Sequence, residues 1–135
     1  MKFNCLIPEL RVFDLKKSKD FYTKVLGFNI EYSRFDFAMV TLGECQIMLQ
    51  QLTLPSVPGS WNVTDDMKYP LGRGINLQII VSDIYVMYNK LKDNNYPIFI
   101  EPIESAYREN DELIYVREFL VQDPDGYLLR FQQDI

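Results

Sequence analysis

An arginine stands in the middle of the last strand that the sequence predicts. In the stretch REFLVQDPDGYLLRFQQ, residues 117–133, the turn at 123–126 separates two alternating runs, with proline second and glycine fourth as a tight turn prefers. The pattern predicts a β-hairpin whose second strand carries Arg130 on its polar face. Because an unpaired buried charge is costly, Arg130 in a pocket would need an anionic ligand or a carboxylate partner, for which Glu9 is the candidate.

The sequence contains no histidine. This absence excludes Ser-His-Asp and Cys-His nucleophile systems, the two-His-one-carboxylate iron site and His-containing zinc sites. Carboxylate chemistry, acid–base work by lysine or tyrosine, a magnesium-type oxygen site and binding without chemistry stay open. The chemistry of the chain must therefore come from carboxylates, arginines, aromatic rings and amides.

The composition predicts one globular domain over residues 1–135. The chain is 47% apolar and 14% aromatic, which suffices for one shared core. With 135 residues it is too short for two independent cores. No run of about 18 apolar residues predicts a membrane span. The opening MKFNCLIPEL lacks the apolar region of a signal peptide, so we expect a cytoplasmic protein.

The charge and the cysteines limit the partners. A net charge of −5 argues against nucleic acid, whose phosphates demand a basic patch, and permits a cationic ligand, although mild acidity also simply keeps a protein in solution. Cys5 and Cys45 have no CxxC spacing and are expected to be reduced, with a disulfide as the less favoured reading.

The chain repeats one junction. A strand enters a helix at Asp14 and again at Asp83, 69 residues later, or about half the chain. Apolar residues recur at helical spacing after each aspartate, and Gly27 is expected just past the end of the first helix. The repeat predicts an internal duplication.

Each half then supplies three further extended segments. They are expected near residues 28–34, 36–42 and 45–52 in the first half, and near 97–103, 113–122 and 127–133 in the second. The prediction is an α+β fold with two βαβββ modules, 1–52 and 74–135. The linker 53–73 holds three prolines and is expected to carry no regular element.

Alternation divides each predicted sheet into two faces. One face is continuously apolar and suits the helices, while the other mixes polar and apolar side chains. Such a mixed face is more often simply solvated. If the sheet curls into a cup, however, the same residues line a concave pocket of the kind that binds small molecules.

Three segments carry a resemblance to a known family. They are LRVFDLKKSKDFYTKVLGF at 10–28, GINLQIIVSDIYVMYNKL at 74–91 and REFLVQDPDGYLLRF at 117–131. With them the chain resembles the vicinal oxygen chelate superfamily, also called the glyoxalase/bleomycin resistance/dioxygenase fold, over nearly its whole length. The resemblance implies a cupped mixed sheet of two βαβββ modules with helices on its outer face, usually in a homodimer.

The resemblance also assigns four positions where metal-using members hold their ion. Here those positions are Ile7, Gln50 (or Met48, two residues earlier), Asn76 and Arg130. None is a histidine or a carboxylate, and an arginine would repel a divalent cation. We therefore expect neither a metal site nor a cofactor.

Within the superfamily the chain is most similar to the metal-free bleomycin resistance proteins, which sequester a drug without altering it. The similarity implies that Asp36 and Phe37 belong to the ligand-binding segment of the first module and that Tyr115 stacks on a ligand ring. Trp61, in the linker, is expected to close the cup. For any one aromatic residue, ordinary packing is the favoured reading. The ligand-binding set predicted on these grounds is Glu9, Phe35, Asp36, Phe37, Met48, Gln50, Trp61, Asn76, Tyr115, Glu118 and Arg130.

Two functions from different classes stay open. The favoured one is a non-catalytic binding protein for a planar or amphipathic small molecule, such as an antibiotic of bleomycin type. The other is an enzyme that acts on a small, anionic substrate with Glu9, Glu118, Tyr115 or Arg130 and without a metal. A weaker third hypothesis is a dimer that only scaffolds another protein.

Overall fold

The computed structural model describes all residues from 1 to 135, and the chain forms two compact units, Met1–Leu71 and Gly72–Ile135. Each unit holds one four-stranded mixed sheet and one helical crossover. The predicted α+β class and the two βαβββ modules are confirmed. No helix of the chain has the length and apolar character needed to cross a membrane.

The first module runs strand, helix and three strands. Its elements are β1 (Glu9–Val12), α1 (Leu15–Asp20) continued by a π-helical turn (Phe21–Val25), β2 (Asn29–Arg34), β3 (Phe37–Leu42) and β4 (Cys45–Gln51). The strand order is β1-β4-β3-β2, with β1 parallel to β4 and the other neighbours antiparallel. A parallel pair needs a crossover connection, and α1 supplies it.

The second module repeats this order. Its elements are β5 (Asn76–Ile80), α2 (Ile84–Asp93), β6 (Ile100–Glu109), β7 (Glu112–Gln122) and β8 (Leu128–Asp134). The strands lie in the order β5-β8-β7-β6, and again the first and last strands of the module are parallel. The linker between the modules has no regular element, as predicted.

The start of α1 is held from two sides. Asp14 is the N-cap, and its carboxylate accepts a hydrogen bond from the Lys17 amide at 3.2 Å. The Leu15 amide, which no helical carbonyl can reach, donates to the side-chain oxygen of Gln51 at 2.8 Å. Since Gln51 ends β4, this bond ties the helix to the strand that pairs with β1.

The start of α2 uses the same two residue types. Asp83 is the N-cap and accepts from the Tyr85 amide at 2.9 Å, and the Ile84 amide donates to Gln133 Oε1 at 2.8 Å. Gln133 lies in β8, the strand that pairs with β5. The two aspartates that revealed the duplication are thus the caps of equivalent junctions.

The end of the first helix matches the prediction at Gly27. Its φ is +84°, a conformation that favours glycine, and its amide donates to the Thr23 carbonyl at 3.1 Å. The Phe28 amide donates to the Tyr22 carbonyl at 2.8 Å, which closes the last turn. The chain then turns into β2.

The apolar face of each sheet packs under its own helix. In the second module Phe119 stacks on Phe131 with ring centroids 5.4 Å apart, and the Tyr88 ring of α2 meets Phe119 edge-on at 5.6 Å. Each fully buried side chain of this size stabilises the fold by about 1.5–3 kcal/mol. The fully buried core residues of the first module include Val12, Tyr22, Leu26, Ile47 and Leu49.

Strand β6 differs from the prediction. It was expected near 97–103 and is observed at Ile100–Glu109. Proline 102 has no amide hydrogen to give to a ladder, and the register with β7 shifts between Ile100 and Ile103. The strand nevertheless continues through Tyr107 to a turn at Asn110, whose φ is +57°.

The β7–β8 turn depends on the Asp123 side chain. Asp123 is buried, and its Oδ1 accepts from the amides of Asp125 and Tyr127, both at 2.9 Å. The Gly126 amide donates to the Asp123 carbonyl at 3.0 Å, which closes the predicted tight turn. The carboxylate therefore satisfies buried backbone donors that the sheet cannot reach.

We expect Asp123→Ala to lower the free energy of unfolding by about 2–4 kcal/mol, because two buried amides lose their acceptor. Asp123→Asn keeps an oxygen in place and should cost about 1 kcal/mol. Urea unfolding measures both. If Asp123→Ala and Asp123→Asn lower the free energy of unfolding equally, the turn does not depend on this acceptor.

A second prediction concerns the two free thiols. Cys5 is exposed, whereas burial raises the pKa of Cys45 to about 11, so about one part in a thousand of it is thiolate at pH 8. A disulfide-exchange reagent should modify one thiol quickly at pH 8 and the second only as the pH approaches 11. Cys5→Ser should abolish the fast phase. Two equally fast phases at pH 8 would contradict the burial of Cys45.

Candidate functional site

The polar face of the first sheet is set by the strand register. Arg11 of β1 lies across from Gln50 of β4, which lies across from Phe37 of β3. Glu9 and Met48 form the next such pair on this face. The predicted face is therefore correct in register, and the edge strand β1 and its neighbour β4 carry these polar residues.

A cleft opens at one end of this face. Its volume is about 250 Å³, and the linker forms its far wall. Three residues of the predicted ligand set, Asp36, Gln50 and Trp61, meet here. The lining comprises Arg11, Asp36, Gln50, Gln51, Thr53 and residues 57–61.

Arg11 is the central charged group of this cleft. It is only 8% exposed, and its guanidinium lies 4.0 Å from the centroid of the Trp61 ring, a cation–π contact. Nη1 donates to the Gln51 carbonyl at 3.3 Å and Nη2 to Ser60 Oγ at 3.1 Å. Nε has no partner, and no carboxylate forms an ion pair with the group. The cleft therefore holds a nearly buried positive charge that is neutralised by no side chain.

Gln50 links the other wall of the cleft to the β2–β3 turn. Its Nε2 donates to the Asp36 carbonyl at 2.9 Å and to Asp36 Oδ2 at 3.0 Å. The second carboxylate oxygen of Asp36 stays free of this contact. The cleft thus presents both a positive group, Arg11, and a negative group, Asp36.

The other first-module residues of the predicted set do not join this cleft. Phe35 is fully exposed at the tip of the turn, and Glu9 is exposed on β1. Phe37 is buried, and its ring stacks on the Tyr32 ring with the centroids 5.6 Å apart. The Arg34 guanidinium lies 4.1 Å from the centroid of the Phe37 ring. Packing, which was the favoured reading for a single aromatic residue, accounts for Phe37.

The second module has its own polar cluster, centred on Glu118 of β7. Glu118 is only 4% exposed. Its Oε1 accepts from the Tyr107 hydroxyl at 2.6 Å and from Ser105 Oγ at 3.3 Å, while Oε2 has no partner. The bond to Glu118 raises the pKa of Tyr107, so the phenol stays a donor beyond its ordinary range.

Arg130 lies on the same face as Glu118. It faces Gln78 on β5 and Leu120 on β7, and its Nε has no hydrogen-bond partner. No carboxylate of the second module forms an ion pair with Arg130. The pairing with Glu9, which belongs to the first module, stays a prediction. Asn76, at the start of β5, is exposed.

Tyr115 lies away from this cluster. The β7–β8 register is unbroken, so Tyr115 shares a face with Phe119, which packs under α2, and not with Glu118. It pairs with Ala106 of β6 and is more than half exposed. The geometry does not bring Tyr115 together with the polar groups of the second sheet.

Sequence reasoning missed four residues of these sites. Neither Arg11 nor Ser60 was in the predicted ligand set. Ser105 and Tyr107 lay beyond the predicted end of β6. The alternation of residues 103, 105 and 107 before the turn at 110 was the available signal for them.

The residues present do not fit the metal site that the family resemblance implies. No group of three or more histidine, cysteine, aspartate or glutamate side chains is placed so that it could hold an ion. The positions Ile7, Gln50, Asn76 and Arg130 offer no carboxylate or imidazole.

The chain matches a protein-family model over most of its length. The model of the Glyoxalase/Bleomycin resistance protein/Dioxygenase superfamily matches residues 5–131 of the chain. The match covers both modules and the linker.

Comparison with individual proteins agrees at the level of the fold. A protein of Synechocystis sp. named "Probable lactoylglutathione lyase" is 31% identical over 132 residues, which are 92% of this chain and 90% of that protein. A protein of Vibrio cholerae with the same name is 29% identical, over 93% of this chain and 86% of its own. The crystal structure of a virulence protein from Salmonella typhimurium is similar with a TM-score of 0.69 at 23% identity, over 100% of both chains.

We expect Arg11→Met to release the linker from the first sheet. The variant loses the contact with the Trp61 ring and the bond to Ser60, so the free energy of unfolding should fall by about 1–2 kcal/mol. Because Trp61 is the only tryptophan, its fluorescence emission should shift to the red as the ring becomes more exposed.

Arg34→Met is the matched control, since Arg34 also stacks on an aromatic ring but lies outside the cleft. It should leave the emission of Trp61 unchanged. An unchanged spectrum in Arg11→Met as well would contradict the contact between Arg11 and Trp61.

Proposed function

Because the chain belongs to the glyoxalase/bleomycin resistance protein/dioxygenase superfamily and lacks its metal-binding side chains, we propose that it binds a planar or amphipathic small molecule without metal and without changing it. The site is the first-module cleft that Arg11, Trp61, Asp36 and Gln50 line. The finer proposal is sequestration of an antibiotic of bleomycin type.

The observation that carries this proposal is the stack of Arg11 on Trp61. The ring is 47% exposed although its neighbour Arg11 is almost completely buried, so one aromatic surface remains available at the mouth of the cleft. A planar ligand ring can extend the stack, since aromatic rings pack on each other and on guanidinium planes. A rigid platform of this kind needs no reacting group.

The charges of the cleft define the rest of the ligand. Arg11 supplies positive charge without a carboxylate partner, and Asp36 supplies a negative charge in the same cleft. A simple polyanion or polycation would meet repulsion from one of them. A ligand with a flat apolar part and both donor and acceptor groups fits the set, which is the usual composition of a small-molecule site.

A second candidate function is enzymatic. It is favoured by the two relatives named "Probable lactoylglutathione lyase", at 31% and 29% identity. In this chain the groups available for proton transfer are Glu118 and Tyr107, which share a hydrogen bond of 2.6 Å. Formation or consumption of lactoylglutathione by the purified protein would support this candidate.

The homodimer implied by the family resemblance stays a prediction. Large apolar side chains that it could cover are exposed on β6 and β7 of the single chain, among them Ile103, Leu113 and Tyr115.

The proposal is tested by calorimetric titration of chelator-treated protein with bleomycin-type glycopeptides and other planar antibiotics. We expect saturable binding with a dissociation constant in the micromolar range, about −8 kcal/mol, and recovery of the intact ligand by mass spectrometry. Trp61→Ala should weaken binding about tenfold or more, since it removes the stacking surface. A ligand that returns chemically altered would overturn the non-catalytic proposal.

Phe35→Ala is the matched control. It also removes an exposed aromatic ring, but Phe35 does not line the cleft, so affinity should be unchanged. If Phe35→Ala and Trp61→Ala weaken binding equally, the ligand does not occupy this cleft. If no compound of the panel binds, the antibiotic assignment fails.

A further inference from the structure

The second module contains a buried acceptor and a donor that the protein leaves unused. Glu118 Oε2 and Arg130 Nε are both buried and have no hydrogen-bond partner. Buried polar atoms are nearly always satisfied, so each unsatisfied one calls for an explanation. Two such atoms of opposite character on one face of one sheet point to a shared cause.

The sheet register brings these two side chains together. Glu118 lies across from Gln132, and Arg130 lies across from Leu120, so Glu118 and Arg130 are diagonal neighbours on adjacent strands. Such neighbours are about 7 Å apart at their Cα atoms, within reach of long side chains. The Arg130 guanidinium also lowers the pKa of Tyr107, against the larger raising effect of Glu118, so its charge lies close to the Tyr107 hydroxyl.

The surroundings of Glu118 hold the carboxylate in a fixed position. Tyr107 and Ser105 both donate to Oε1, and this leaves Oε2 as the oxygen with free lone pairs. Oε2 is covered, so a ligand reaches it only when a neighbouring side chain moves aside. Tyr107, which is 43% exposed, is the neighbour that we expect to move.

We propose that this cluster is a second binding site, which takes a ligand group that donates a hydrogen bond to Glu118 Oε2 and accepts one from Arg130 Nε. The ligand chemistry is a donor beside an acceptor, as in a primary amide or in the zwitterionic end of an amino acid or peptide. The opposite charges of Glu118 and Arg130 disfavour a group that carries only one sign of charge. The inference goes beyond the proposed function, because neither residue lines the first-module cleft.

The test uses four small probes and the ¹⁵N-labelled full chain. Glycylglycine is the zwitterionic probe and N-acetylglycinamide the neutral amide, while N-acetylglycine carries only the negative charge and glycine ethyl ester only the positive one. Nuclear magnetic resonance follows the Arg130 Nε–H signal and the backbone amides of Ser105 and Glu118. We expect the first two probes, or one of them, to shift these signals saturably and at least tenfold more tightly than either singly charged probe.

Variants then distinguish a zwitterionic ligand from a neutral amide. Glu118→Gln should weaken the binding of glycylglycine at least tenfold and the binding of the neutral amide less. Only the ammonium group of glycylglycine loses an oppositely charged partner. Arg130→Gln should weaken both. Glu104→Gln and Arg108→Gln are matched controls on the opposite face of β6 and should change neither affinity.

Three results would overturn the inference. The first is the absence of saturable shifts at Ser105, Glu118 and Arg130 with all four probes. The second is equal affinity of the paired and singly charged probes. The third is an equal effect of Glu118→Gln and Glu104→Gln on glycylglycine binding, in variants whose ¹⁵N spectra show the native fold. None of these results would affect the antibiotic titration of the first-module cleft, so the two proposals fail independently.

Discussion

The parallel pairing of the first and last strands in each module is the constraint on which the fold depends. Parallel neighbours cannot be joined by a hairpin, so a helix must cross the sheet between β1 and its partner, and between β5 and its partner. The first free amide of each helix is captured by a glutamine of the last strand, Gln51 in one module and Gln133 in the other. Helix, first strand and last strand are thereby fixed by one short polar contact at equivalent places. A short helix such as α1 is marginal on its own, so this contact and the packing beneath it define where it begins.

With the helix fixed on one face, all chemistry is confined to the other. The helix side takes the large apolar residues, such as Phe119 and Phe131, and the strand alternation sends their neighbours to the opposite face. The two modules then use that face differently. The first places Arg11 of its first strand against an aromatic ring from the linker, and the second places Glu118 of its third strand against a tyrosine of β6. The duplicated scaffold therefore supports two unlike polar sites.

Local patterns in the sequence were sufficient to predict the scaffold. Asp14 and Asp83, Gly27 and the turn at Asp123 act through contacts a few residues away, so their residue types reveal the geometry. The sites depend instead on contacts that are distant in the sequence. Nothing local shows that Trp61, in a linker without regular structure, lies on Arg11, or that β6 resumes its ladder after Pro102 and carries Tyr107 to Glu118. Tyr115 was selected by its position relative to a motif, whereas strand parity places it on the face of Phe119.

The unsatisfied atoms of Arg11, Glu118 and Arg130 bear on how the protein can evolve. Of the four buried side-chain polar atoms without a partner, three belong to these residues. Each such atom lowers the stability of the free protein. At Arg11 the contacts with Trp61 and Ser60 offset this loss, whereas joint replacement of Glu118 and Arg130 by apolar side chains would remove it. Selection for thermal robustness alone would therefore replace Glu118 and Arg130 first. Their presence in a chain of 135 residues, whose margin of stability is small, supports the proposal that these positions serve ligand binding.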